Sequence, residues 1–145
     1  MKNYSVGIHE KDEISLMDLL NKIKMNKDLE KAGAIMVFIG IVRGIGVKGG
    51  KVKKLRLEAY KEQAEESLEK IAKEILEKPG IVDVRIHHFV GELNVGEDIV
   101  YISVAGGHRN EVFEALREAI DRMKKEAAIW KKEITNLGEY WVSGE

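Results

Sequence analysis

The sequence predicts an α+β fold in which a mixed or antiparallel sheet carries about three helices, within one domain over residues 1–145. Two observations lead there. Apolar residues recur at helical spacing in three stretches, and the segments between them read as short strands. Several of those strands follow one another across short turns, which a doubly wound parallel sheet with its helical crossovers does not permit. A length of 145 residues suits one hydrophobic core, and no repeat or low-complexity linker divides it.

In chain order, Tyr4 to Ile8 alternates weakly, as an edge strand does. Ser15 is placed to cap a helix running to about Met25, whose Leu16, Leu19, Leu20 and Ile23 share a face. Gly33 opens the most apolar stretch, which ends at Arg43. A strand apolar on both faces is either central in its sheet or lies at a subunit interface. Gly44, Gly46, Gly49 and Gly50 then predict a mobile loop bearing Lys48 and Lys51. Lys53 to Tyr60 alternates, with Leu55, Leu57 and Ala59 inward and Lys54, Arg56 and Glu58 outward. Ala64, Leu68, Ile71 and Ile75 mark a helix from about Lys61 to Lys78, stopped by Pro79-Gly80. Ile81 to Val90 reads as a strand, Gly91 to Gly96 as a turn, and Ile99 to Ala105 as the next strand. A third helix from about His108 to Ala127 has Phe113, Leu116, Ile120 and Met123 as its apolar face. Trp130 to Thr135 and Glu139 to Val142 form a closing hairpin around Asn136-Leu-Gly138.

Hydrophobic residues make up 44% and charged residues 34%, enough to bury a core beneath a solvated surface. With 24 basic and 25 acidic residues the net charge is -1, so nucleic acid and anionic membrane exert no general pull and any anion site must be local. The chain has no cysteine. That excludes disulfides, thiolate metal sites and a cysteine nucleophile, so any sulfur it handles comes from a substrate or partner. The longest apolar run is too short to span a bilayer and no signal peptide precedes the first strand, which predicts a soluble cytoplasmic protein.

Three segments carry polar groups suited to chemistry. Arg43, at the end of the apolar strand beside a glycine-rich loop, can grip a phosphate in two-pronged fashion, or simply mark the strand's solvated end. Gly106-Gly-His-Arg109 opens the third helix, where the first backbone N–H groups and the helix dipole favour an anion. His108 and Arg109 would be unfavourable cations there without one; the plain alternative is His108 packed on the preceding strand. In Lys124 to Glu133, Lys124 lies at the border of the helix's apolar face and Lys131 follows Trp130 directly. A lysine at a core border suits proton transfer when partly desolvated, and two ordinary solvated charges are the alternative. His87 and His88 are adjacent on a strand, point to opposite faces and cannot chelate one metal. The glycine-rich loop lacks the Gly-Lys-Ser/Thr ending of a P-loop.

In order and spacing, five strings resemble the large subunit of molybdopterin synthase: Gly33-Ala-Ile-Met-Val-Phe-Ile-Gly-Ile-Val-Arg43, Leu57-Glu-Ala-Tyr60, His88-Phe-Val-Gly-Glu-Leu-Asn-Val-Gly96, His108-Arg109 and Ile129-Trp-Lys-Lys-Glu133. The resemblance covers about Gly33 to Val142. It implies a fold of α/β-hammerhead type and a homodimer at the centre of a heterotetramer. It also implies a small ubiquitin-like partner that inserts a C-terminal Gly-Gly thiocarboxylate. The implied substrate is cyclic pyranopterin monophosphate, converted to the dithiolene of molybdopterin by two sulfur transfers with no cofactor or bound metal. Matched by position, Lys124 and Lys131 correspond to the family's two important lysines, and Phe38, Arg43, His108 and Arg109 to its substrate-pocket residues. Gly44-Ile45 stands where the family often has Asn-His, which puts substrate contact by that loop in question. Ala128 replaces a common proline, which predicts a less rigid approach to Lys131. The rival readings are a non-catalytic α+β module that holds a phosphorylated ligand, and a dimeric scaffold without activity.

Overall fold

Ser15 begins the first helix as its position predicts. Its Oγ accepts the Asp18 N–H at 3.1 Å, and Asp18 Oδ2 accepts the Ser15 N–H at 2.9 Å, a reciprocal cap for α1 (Leu16–Lys24). The computed structural model describes residues 2–142. The other helices are α2 (Lys61–Leu76) and α3 (Arg109–Glu126). Ala64, Leu68, Ile71 and Ile75 of α2 are fully buried, as their spacing predicts. Beyond the helix, Gly80 adopts φ +81°, a left-handed backbone conformation that favours glycine.

Seven strands surround these helices among the described residues: β1 (Tyr4–Glu10), β2 (Ala34–Ile41), β3 (Val52–Ala59), β4 (Ile81–Leu93), β5 (Asp98–Gly106), β6 (Ile129–Thr135) and β7 (Gly138–Val142). They form one mixed sheet in the order β2-β5-β4-β3-β6-β7, antiparallel throughout, with β1 added in parallel to β4. The fold is α+β. Strand β4 joins the two halves. Its first part pairs with β5 and β1, and its last residues, Gly91 to Leu93, pair with β3.

The structure corrects four expectations. The segment 91–93 is strand, and the turn shrinks to Asn94 and Glu97, where Glu97 N–H donates to the Asn94 carbonyl at 3.0 Å. Strand β2 is not central: it pairs with β5 alone, and its Ile39 and Ile41 are 38% and 56% exposed. The reading of this all-apolar strand as a central one is therefore removed. In α3 the buried face is Val112, Ala115, Ala119 and Met123, with Leu116 and Ile120 flanking it and Phe113 59% exposed. Small side chains at the centre of that face let the helix lie close on the sheet, so residue size rather than apolarity selects the stripe. Residues 44–50, expected to be mobile, are anchored, as described below.

Two apolar clusters cover the two faces of the sheet, one beneath α2 and α3 and one beneath α1. The α1 side also holds a buried polar chain. Arg85 grips Asp83 through two bonds at 2.9 and 3.0 Å, and Asn26 donates to Asp83 at 2.8 Å. Arg85 also donates to Ser5 Oγ at 3.2 Å; that hydroxyl meets His87 Nε2, and His87 Nδ1 meets His9 Nε2, both at 2.8 Å. The chain ties β1, β4 and the segment after α1 together.

Candidate active site

A cavity of about 580 Å³ opens where the two halves of the sheet meet, lined from β2, β3, β4, β5, the end of α3 and β6. Its size falls among pockets that hold small organic ligands. Phe38 and Arg43 enter from β2 and the residue pair that follows it. Val42 N–H donates to the Glu97 carbonyl at 3.0 Å, and Gly96 N–H donates back to the Val42 carbonyl at 2.9 Å, which fixes the chain just before Arg43.

Lys124 sits in the last turn of α3, where a cation is favoured by the helix dipole. Two residues, Ala127 and Ala128, then turn the chain into β6. The Ala128 carbonyl accepts the Tyr60 N–H at 3.2 Å, so an anchor from the start of α2 steadies the segment that lacks the proline. On β6, Lys131 and Glu133 face inward and Trp130 and Lys132 face outward, as strand alternation requires. Trp130 also borders the cavity and meets Tyr60 edge-to-face at 5.0 Å. Lys131 is half-buried, whereas Lys124 and Arg43 are exposed, so the chain alone gives Lys124 little of the desolvation expected of it.

The glycine-rich loop packs against the β6–β7 hairpin, and none of residues 44–50 lines the cavity. Glu133, 6% exposed, accepts the Val47 N–H at 3.0 Å and the Tyr140 hydroxyl at 2.8 Å on the same oxygen. Tyr140 also lies under the Lys48 ammonium, 4.6 Å from ring centre to Nζ. Asn136 Oδ1 accepts the Lys51 N–H at 2.8 Å. A Cβ on Gly46 would come within 2.7 Å of the Tyr140 oxygen, so close approach of the backbone, not freedom, is what glycine supplies there.

His108 and Arg109 lie elsewhere. His108 occupies the N-cap of α3 and both residues are exposed, which removes the reading of His108 packed on the preceding strand. Arg109 precedes Lys124 by 15 positions on one helix, about 22 Å at 1.5 Å per residue. Within one chain the cavity therefore unites Phe38, Arg43, Lys124 and Lys131 and leaves out His108 and Arg109.

Sequence reasoning missed two cavity residues. Glu133 ends a quoted string but had no assigned task. His88 was weighed only as a metal ligand. As expected, it and His87 occupy opposite faces, His87 toward His9 and Ser5 and His88 toward the cavity. The Nδ1 of His88 lies 2.7 Å from the Phe89 carbonyl oxygen. Burial, with the nearby Lys131 charge adding to it, holds the ring's pKa down at about 4, against a weaker upward pull from that carbonyl.

Known proteins are similar to this chain in sequence and in architecture. The family described as MoaE protein matches residues 9–126. A molybdopterin synthase catalytic subunit from Pyrococcus abyssi is 43% identical over 78% of this chain and 76% of its own length. The crystal structure of molybdopterin synthase from Staphylococcus aureus has a TM-score of 0.80 at 35% identity and covers 99% of each chain. A Helicobacter pylori chain, solved as a complex of subunits 1 and 2 of molybdopterin-converting factor, shares the fold at 21% identity with a TM-score of 0.75, covering 97% of this chain and 91% of that one. With a family match over most of its length and relatives of this closeness, the chain belongs to the MoaE family, the family of molybdopterin synthase catalytic subunits.

Proposed function

We propose that this chain is a sulfurtransferase, moving sulfur from the C-terminal thiocarboxylate of a small ubiquitin-like subunit onto cyclic pyranopterin monophosphate. One observation carries the reading: Phe38, Arg43, Lys124 and Lys131, which reach the chain's surface from separate elements, border one cavity of about 580 Å³. Replacing oxygen by sulfur on the pterin side chain breaks a carbon–oxygen bond and opens the cyclic phosphate. Lys124 protonates the departing oxygen or stabilises its developing charge. Lys131 holds and polarises the incoming thiocarboxylate. Arg43 grips the phosphate, and His108 and Arg109 reach it from a second copy of the chain, since their own Lys124 stands a helix length away. That second copy docks along β2, whose unpaired edge and exposed Ile39 and Ile41 an isolated protein would blunt with charge. Two small subunits on this dimer make a heterotetramer, at work in the cytoplasm on one-domain catalytic subunits, with neither resident metal nor cofactor in the chemistry.

The test is turnover of the precursor with thiocarboxylated small subunit. Lys124→Ala is expected to slow dithiolene formation by about 100-fold or more while precursor binding and melting temperature stay near wild type. Loss of binding and turnover together would favour a phosphate-holding module instead. Turnover with free sulfide at a comparable rate would remove the partner from the mechanism.

A further inference from the structure

A thiocarboxylate that gives up its sulfur has to regain an oxygen. Once sulfur bonds to the pterin side chain, the tail is joined to it through an acyl–sulfur link, and water must cleave that link before the partner departs. Water attacking a carbonyl needs an acceptor for its proton. Among the cavity's side chains, Arg43, Lys124, Lys131 and Trp130 only donate hydrogen bonds, which leaves Glu133 and His88. Glu133 is tied to structure through Oε1, which accepts both the loop's Val47 N–H and the Tyr140 hydroxyl and so holds the carboxylate against the loop and hairpin. His88 is otherwise placed. Its Nδ1 faces a carbonyl oxygen and must carry the ring's proton, so Nε2 bears a bare lone pair. Among the described residues no group takes that lone pair. Burial keeps the ring neutral throughout the neutral pH range, so Nε2 remains a hydrogen-bond acceptor there.

The geometry points to His88 as a further catalytic residue, the acceptor that orients and deprotonates the water releasing the partner's tail. This rests on the sulfur-transfer reading above. In the step, the water oxygen bonds to the acyl carbon and the acyl carbon–sulfur bond breaks. Sulfur leaves with the bonding pair as a thiolate on the pterin, its charge offset by Lys131. One water proton passes to Nε2 and on to the thiolate, which is the stronger base. The tail departs as a carboxylate after losing the second proton to solvent.

Two variants separate chemistry from structure. His88→Asn retains a donor for the Phe89 carbonyl and removes the acceptor at Nε2, while His88→Gln keeps an acceptor near Nε2. Each is mixed with thiocarboxylated small subunit and cyclic pyranopterin monophosphate in a single turnover, quenched, and read by intact-protein mass spectrometry. The expected result is that His88→Asn accumulates small subunit covalently joined to pterin, which decays about tenfold or more slower than in wild type, with His88→Gln in between. Decay of the joined species at the wild-type rate in His88→Asn would overturn the assignment. So would loss of product from both variants without the joined species appearing. Wild-type protein that yields neither joined species nor product would instead remove the sulfur-transfer reading itself.

Discussion

His87 and His9 show what burial does to a single side chain. His87 is driven down to a pKa of about 3, first by burial and then by the charges of His9, Arg85 and Lys22. His9 is lowered too, chiefly by burial, with Glu13 and Glu65 pulling it back and Lys61 and Lys22 adding to the fall. An unfolded chain therefore binds protons on these rings at pH values where the native chain does not, so stability is complete above the ordinary histidine value of 6.5 and is lost as pH falls. For His87 the loss runs from about 6.5 down to about 3 and amounts to about 2 kcal/mol at pH 5. Urea denaturation at pH 7 and pH 5 is expected to show that much less pH dependence in His87→Asn than in wild type; equal slopes would place the titration elsewhere. At the same scale Asp83→Ala strands the buried Arg85 guanidinium and is expected to cost about 3–5 kcal/mol, measured as the loss in unfolding free energy. Opposite faces for His87 and His88 were legible because strand alternation is local. The partners of each ring were not, since Ser5 and His9 come from a strand some 80 residues away in sequence.

Among the elements, the hairpin β6–β7 and the loop at 44–50 act as one unit, latched by Glu133 and Tyr140. Tyr140→Phe removes one hydroxyl that bonds Glu133 at 2.8 Å and is expected to lower stability by about 1 kcal/mol. Faster amide exchange at Val47 would accompany it; unchanged exchange would mean that Glu133 alone holds the loop. All three helices were legible to within a few residues, because capping by Ser15, the Pro79-Gly80 stop and apolar spacing are written in adjacent positions. The loop's anchoring was not. Glycines at 44, 46, 49 and 50 announce backbone latitude, but whether a fold uses it for motion or for close approach depends on Glu133 and Tyr140, some 90 positions later. The same limit explains Phe113: apolar spacing locates a helix, whereas the sheet's distance from it decides which neighbouring stripe is buried.

Across the whole molecule, the placement of β2 governs the reading of function. Hydrophobicity reports burial by any surface, including one from a second subunit, so the most apolar strand of the chain looked equally suited to the middle of the sheet and to an interface. Sheet order excludes the middle: β2 is an edge, with Arg43 at one end and the start of α3 near the other, where Gly33 N–H donates to the Gly106 carbonyl at 2.8 Å. Four of the six site residues read from the sequence line one cavity, namely Phe38, Arg43, Lys124 and Lys131. His108 and Arg109 have no place in that cluster within one chain, and a two-fold assembly is the simplest arrangement that brings them to it. Mixing Lys124→Ala with Arg109→Ala protein, each inactive alone, tests this most directly. If each site draws Lys124 from one chain and Arg109 from the other, half of the sites in a mixed dimer are intact, and random exchange should restore about a quarter of wild-type turnover. Mixed dimers that form and remain inactive would show that both residues serve within one chain, and Arg109→Ala protein active on its own would show that Arg109 serves no site.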